Sequence, residues 1–79
     1  MLTAERVVDE YYLDVRCKLL EIAAILDRHD RGGGSFTRSD DPRLVRCRQA
    51  LDVLASPQSK PDRAEQLALI FSDPVQTEG

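Results

Sequence analysis

Between residues 4 and 31, apolar side chains recur at the spacing of one face of an α-helix. Successive members lie 4, 3, 4, 3 and 4 residues apart: Val8, Tyr12, Val15, Leu19, Ile22 and Leu26. Acidic residues gather near the start of this segment and basic residues near its end, as the helix dipole favours. The pattern predicts one continuous helix over residues 4–31, capped by Thr3 and stopped by Gly32.

Two shorter helices are predicted after this long one. Asp41-Pro42 is a strong start signal, because Asp caps a helix and the missing N–H of Pro costs nothing at the first helical position. This signal and the apolar spacing that follows predict a second helix over residues 42–55. Pro61, in the first turn of the next periodic segment, predicts a third helix over residues 61–72.

A chain of 79 residues allows one small domain with a modest core. We expect an all-α, three-helix domain over 1–79, with the long helix packed against the two shorter ones. A glycine-rich linker at 32–40 and a frayed tail at 74–79 complete it. Two short helices cover a helix of about 42 Å imperfectly, so the long helix is expected to dimerise into a larger bundle.

The charge and hydropathy exclude several classes of protein. A net charge of −3 and a pI near 5.0 oppose nucleic-acid binding, which usually requires a strongly basic domain. No apolar run approaches the roughly 20 residues that cross a membrane, and the charged N-terminus lacks the apolar region of a signal peptide. We therefore expect a cytoplasmic protein with two thiols. The chain looks like a small bacterial protein, because a long helix is followed by a glycine linker and then by a helix that begins with the sequence DPRL.

Residues 27–43 hold the only histidine of the chain, three consecutive glycines and several acids. A calcium loop started at Asp27 matches the required pattern after its first position only at Gly32, and a zinc hydrolase normally needs more than one histidine. The glycines lack the lysine of a phosphate-binding P-loop. Cys17 and Cys47 lack an evident base, and pairing of His29 with Cys47 is only a weak possibility for nucleophilic catalysis. We expect no metal, no cofactor and no enzyme activity.

Arginines are the remaining signal in this part of the chain. Six arginines and three acids lie between residues 28 and 48, which is a local excess of +3. Arginine binds phosphate and carboxylate through two parallel hydrogen bonds, although such a cluster is more often a solvated face with ion pairs. Four of these arginines and the single aromatic residue of the linker form a hypothetical contact surface: Phe36, Arg38, Arg43, Arg46 and Arg48.

The sequence favours a non-catalytic protein–protein interaction or structural module whose partner is another protein or a second copy of itself. The alternative is an accessory protein for nucleic acid or another anionic ligand, acting through the arginine-rich face of the second helix.

Overall fold

The computed structural model describes residues 2–72, and these form three α-helices and no strand. Helix α1 spans Ala4–Arg31, α2 spans Pro42–Ala55 and α3 spans Arg63–Ser72. The all-α, three-helix prediction is confirmed. The chain divides into two compact units, of which the first ends at Phe36 and the second begins at Thr37.

Helix α1 begins and ends at the predicted residues. The Thr3 side chain accepts a hydrogen bond from the backbone N–H of Arg6 at 3.2 Å, which satisfies one of the free donors of the first turn. At the other end, the N–H of Gly32 donates to the carbonyls of Arg28 and His29 at 3.2 and 3.1 Å. No residue of α1 is buried.

The loop after α1 folds back onto its last turn. Gly33 has a φ of 102°, in the region that favours glycine, and its N–H donates to the carbonyl of Asp30 at 3.1 Å. The N–H of Phe36 donates to the Asp30 carboxylate at 2.9 Å. Phe36 itself is only 8% exposed, so this part of the predicted linker is anchored through both its backbone and its side chain.

In the second unit, α2 and α3 pack against each other. Asp41 caps α2 by accepting the N–H of Arg43 at 2.9 Å, and Pro42 occupies the first turn, as predicted. Ala50 is the buried residue of α2 among those described.

Helix α3 begins at Arg63, two residues later than predicted, and ends at Ser72 as predicted. The N–H of Asp62 donates to the carbonyl of Lys60 at 2.9 Å in a local turn, so Pro61 precedes the helix rather than lying in its first turn. The Asp62 carbonyl then accepts the first helical hydrogen bond, from Gln66 at 3.0 Å. The predicted frayed tail at 74–79 lies outside the described residues. The single-domain organisation of the whole chain stays a prediction.

Candidate functional site

The six periodic apolar residues of α1, called here the α1 stripe, lie along one side of the helix: Val8, Tyr12, Val15, Leu19, Ile22 and Leu26. Five of the six are exposed, from 38% for Ile22 to 61% for Val8. Leu26 is half-buried. From Val8 to Ile22, over about four turns, the stripe therefore presents branched aliphatic side chains and a tyrosine ring to solvent.

Further apolar side chains widen the stripe along one edge. Val7, Tyr11 and Ile25 each precede a stripe residue by one position and are all exposed. On the same edge, the Lys18 ammonium donates to the Asp14 carboxylate at 2.7 Å. This hydrogen bond raises the pKa of Lys18, and both side chains are largely exposed. A long apolar face, flanked by charged side chains that pair with each other, is typical of a surface that contacts another protein.

Arg43, one of the predicted contact residues, is held by the acid that caps its own helix. Its Nε and Nη2 atoms donate to the two carboxylate oxygens of Asp41 at 3.1 and 2.8 Å. The hydrogen bonds to Asp41, and then its charge, raise the pKa of Arg43. The guanidinium group therefore uses its bidentate hydrogen-bonding edge to bind Asp41 and not an external anion.

The other predicted arginines occupy different environments. Arg48 is half-buried, and its Nη1 donates to the Ser39 carbonyl at 2.8 Å, which ties α2 to the segment before it. Arg46 is half-buried and also engaged by other residues. Arg38 lies exposed in the turn before α2. The four arginines belong to the second unit, whereas Phe36 is a buried residue of the first.

His29 takes part in a small cluster at the end of α1. Its Nδ1 lies 2.8 Å from Asp30 Oδ1, the same carboxylate oxygen that accepts the N–H of Phe36. Both hydrogen bonds lower the pKa of Asp30, and the bond with His29 has the larger effect. The ring also lies against Gly34, where a Cβ atom would collide with it. His29 therefore lies in the predicted place at the helix end, beside a carboxylate that helps to close α1.

The sequence did not single out two polar links that the structure contains. Asp30 stands out in the sequence only as one of several acids, yet it joins His29 to Phe36. Gln66 Nε2 donates to Gln58 Oε1 at 2.7 Å, which connects α3 with the segment after α2. Neither link follows a motif, since each depends on side chains that the turns bring together.

Reactive groups are scattered over the described part of the chain. Cys17 is exposed and Cys47 half-buried, and both are free thiols. Within residues 2–72, no three His, Cys, Asp or Glu side chains are grouped so that they could hold a metal ion. Over the same residues, no helix combines the length and apolar character needed to cross a membrane.

Comparison with known proteins gives no relative from which a function could be inferred. The chain matches no family model, no curated protein and no solved structure.

Proposed function

We propose that this protein is a non-catalytic protein–protein interaction module that contacts its partner through the α1 stripe. The observation that carries the proposal is the exposure of the stripe: Val8, Tyr12, Val15 and Leu19 are each more than half exposed. Each buried aliphatic side chain contributes about 1.5–3 kcal/mol relative to leaving it in water, so covering the stripe is a strong driving force for association.

The surroundings of the stripe also support a protein partner. A lipid surface generally selects helices with basic residues beside the apolar face, whereas the first half of α1 carries four acids and two arginines. The partner is another protein or a second copy of this chain. We place the module in the cytoplasm of a bacterial cell, where its two free thiols suit a reducing environment.

The test compares three full-length proteins: the wild type, Leu19→Asp and Leu13→Asp. Leu19 belongs to the stripe and is 52% exposed, while Leu13 lies off the stripe and is 66% exposed. Both substitutions place the same carboxylate at an exposed leucine of the same helix. Circular dichroism verifies that the helix content is equal.

Each protein is measured by sedimentation equilibrium for self-association and is immobilised for capture of partners from a native cell extract. We expect complexes of either kind to form with the wild type and with Leu13→Asp, and to be lost with Leu19→Asp. Equal behaviour of the two variants would contradict the proposal.

Anion binding by the arginines is the alternative function. The Arg43–Asp41 pair counts against it, because an incoming phosphate must first displace a two-bond internal partner. Binding to nucleic acid would weaken steeply as salt is added, since neutralised phosphates release counterions. A fluorescence-anisotropy titration of single-stranded and duplex DNA at two salt concentrations distinguishes this alternative from contact through the stripe.

A further inference from the structure

The alternating spacing of the α1 stripe matches the seven-residue repeat of paired helices. In this coiled-coil repeat, the two positions that face the partner helix are called a and d. A d position is followed four residues later by an a position, and an a position is followed three residues later by a d position. Val8, Val15 and Ile22 then occupy d positions, and Tyr12, Leu19 and Leu26 occupy a positions.

We propose that a second copy of this chain covers the α1 stripe, with the two α1 helices antiparallel. This inference rests on the proposed function and names its partner.

The spacings between stripe residues, which are 4, 3, 4, 3 and 4, are the same from either end of the helix. In an antiparallel pair, each stripe residue of one copy therefore lies level with a stripe residue of the other, and each such pair forms one layer of the contact. Residues whose numbers sum to 34 then lie level across the contact: Val8 with Leu26, Tyr12 with Ile22 and Val15 with Leu19, each pair occurring twice. Every layer combines one larger a residue with one β-branched d residue. Such layers have similar volumes and fill a helix–helix contact evenly.

A parallel copy would pack the same side chains unevenly. It would place Tyr12 against Tyr12 and Leu19 against Leu19 of the partner in some layers, with Val15 against Val15 in others. Parallel two-stranded pairs favour β-branched residues at a and leucine at d. The α1 stripe has the reverse distribution, which argues against a parallel dimer.

The charges of α1 favour the antiparallel direction as well. The first half, residues 4–17, has four acids and two arginines, while the second half, residues 18–31, has three acids and three bases with His29 neutral. A parallel copy would align the two acidic halves, whereas an antiparallel copy places each against a neutral half. The helix dipoles are also opposed in the antiparallel arrangement, which is the favourable orientation.

The dimensions of α1 point to a partner helix of equal length. α1 has 28 residues, whereas α2 has 14 and α3 has 10. A contact strip of about 42 Å by 10 Å buries about 420 Å² on each copy. The total of about 840 Å² is about half the ~1,600 Å² of a standard specific interface and below the ~1,000 Å² that a stable complex usually exceeds, so we expect a weak dimer that dissociates on dilution.

Distances between labels on α1 decide between the two directions. Both cysteines are first removed as Cys17→Ser and Cys47→Ser, and a spin label is attached at either Arg6→Cys or Arg28→Cys. Both positions lie off the stripe, and Arg6 makes only a long, exposed ion pair of 3.9 Å with Glu10. In the antiparallel dimer, position 6 of one copy is level with position 28 of the other.

Pulsed electron paramagnetic resonance measures the distance between the labels in the full-length protein. Each singly labelled variant alone should give a long distance, because its two labels are separated by about 33 Å along the helix axis. A mixture of the two variants should add a distinctly shorter distance, from mixed dimers. Leu13→Asp, added to both labelled variants, should leave these distances unchanged, and Leu19→Asp, added in the same way, should abolish them.

The reverse pattern, short distances in each variant alone, would overturn the antiparallel arrangement while leaving the α1 stripe as the contact surface. A protein that stays monomeric at all concentrations would overturn the second copy as the partner. If it then captures another protein in a Leu19-dependent way, the proposed function stands without this inference. If it captures none, both fail.

Discussion

The backbone N–H of Phe36 donates a hydrogen bond to the carboxylate of Asp30, six residues earlier, at 2.9 Å. The same carboxylate oxygen lies 2.8 Å from Nδ1 of His29. One acid in the last turn of α1 thus holds both a neighbouring ring and the backbone of the only buried aromatic residue among those described. These contacts fix the path of the chain as it leaves α1.

Protonation of Asp30 should release this contact at low pH. The bonds from His29 and Phe36 lower the pKa of Asp30 below its ordinary value of 3.8. The carboxylate therefore stabilises the folded loop fully above the unfolded pKa of about 3.9, and this stabilisation is lost as the pH falls through the lower, folded pKa. We expect the Asp30 carboxyl carbon and the Phe36 amide proton to titrate with one shared midpoint below 3.9 in NMR spectra.

Asp30→Asn provides the matched variant, since it retains an oxygen acceptor but cannot ionise in this range. In Asp30→Asn the acid titration of the Phe36 amide should disappear, and in Asp27→Asn it should remain. A Phe36 amide that titrates equally in both variants would show that another group controls the loop.

Gly33 should tolerate substitution less well than its neighbour Gly32. Its φ of 102° is strained for any residue with a Cβ atom, although the space around it is open. Gly33→Ala should lower the free energy of unfolding by about 1–2 kcal/mol through the backbone alone. Gly32→Ala is the control, because Gly32 has a φ of −79° and a Cβ there would make an ordinary contact with the His29 carbonyl. Urea unfolding followed by circular dichroism measures both, and equal losses would contradict the backbone explanation.

The helix boundaries could be predicted from the sequence where short-range caps determine them. Thr3 and Asp41 bond to backbone groups two or three residues away, and Gly32 closes α1 through bonds to carbonyls three and four residues away. The start of α3 was predicted two residues early, because Pro61 suits a first helical turn but also suits the turn that Asp62 completes.

The side-chain partners at the candidate site were harder to predict. From the sequence, the arginines at 43 and 48 could belong to a binding surface or, as is commoner, to a solvated face with ion pairs. The structure pairs Arg43 with Asp41 and Arg48 with the Ser39 carbonyl. Phe36 could project from the linker or fold inward, and it is buried. Such choices depend on turn geometry, which residue spacing does not encode. The α1 stripe was evident from its period, whereas its exposure required the three-dimensional structure.

Removing the charge of Arg16 should strengthen the proposed dimer. Arg16 lies beside the stripe, one residue from position 17, the midpoint of the antiparallel contact. Since the two-fold axis brings the same edge of each helix together there, the two Arg16 side chains face each other and repel. Arg16→Gln should lower the dissociation constant about twofold to fivefold at low salt, which corresponds to the usual range for exposed charge pairs.

Arg28→Gln is the control for Arg16, because position 28 lies off the stripe and far from the midpoint. Its dissociation constant should not fall below that of the wild type, because Arg28 offsets the acids in the half of α1 that faces an acidic half. Sedimentation equilibrium at low and high salt measures both variants, and the advantage of Arg16→Gln should shrink as salt is added. A weaker dimer with Arg16→Gln would point to a neighbour other than a second arginine.

The link between Gln58 and Gln66 should couple the end of α2 to α3. Gln66 Nε2 donates to Gln58 Oε1 at 2.7 Å and also to Asp62 Oδ1 at 2.8 Å. Gln58 Nε2 in turn donates to the carbonyls of Val53 and Ser56 at 3.1 and 3.2 Å. The two amides thus join the last turn of α2 to the first turn of α3 through partly buried hydrogen bonds.

A double-mutant cycle isolates this link from the other bonds that each glutamine makes. Gln58→Ala and Gln66→Ala are measured singly and together by urea unfolding, and we expect a coupling free energy of about 0.5–1.5 kcal/mol, the usual net value of one hydrogen bond. Among the described residues, Gln49 is exposed and makes no hydrogen bond to Gln66, so Gln49→Ala combined with Gln66→Ala should be additive. Additivity in the Gln58 cycle as well would mean that helix packing alone holds α2 and α3 together, and the amide link would then contribute only to the geometry of the turn.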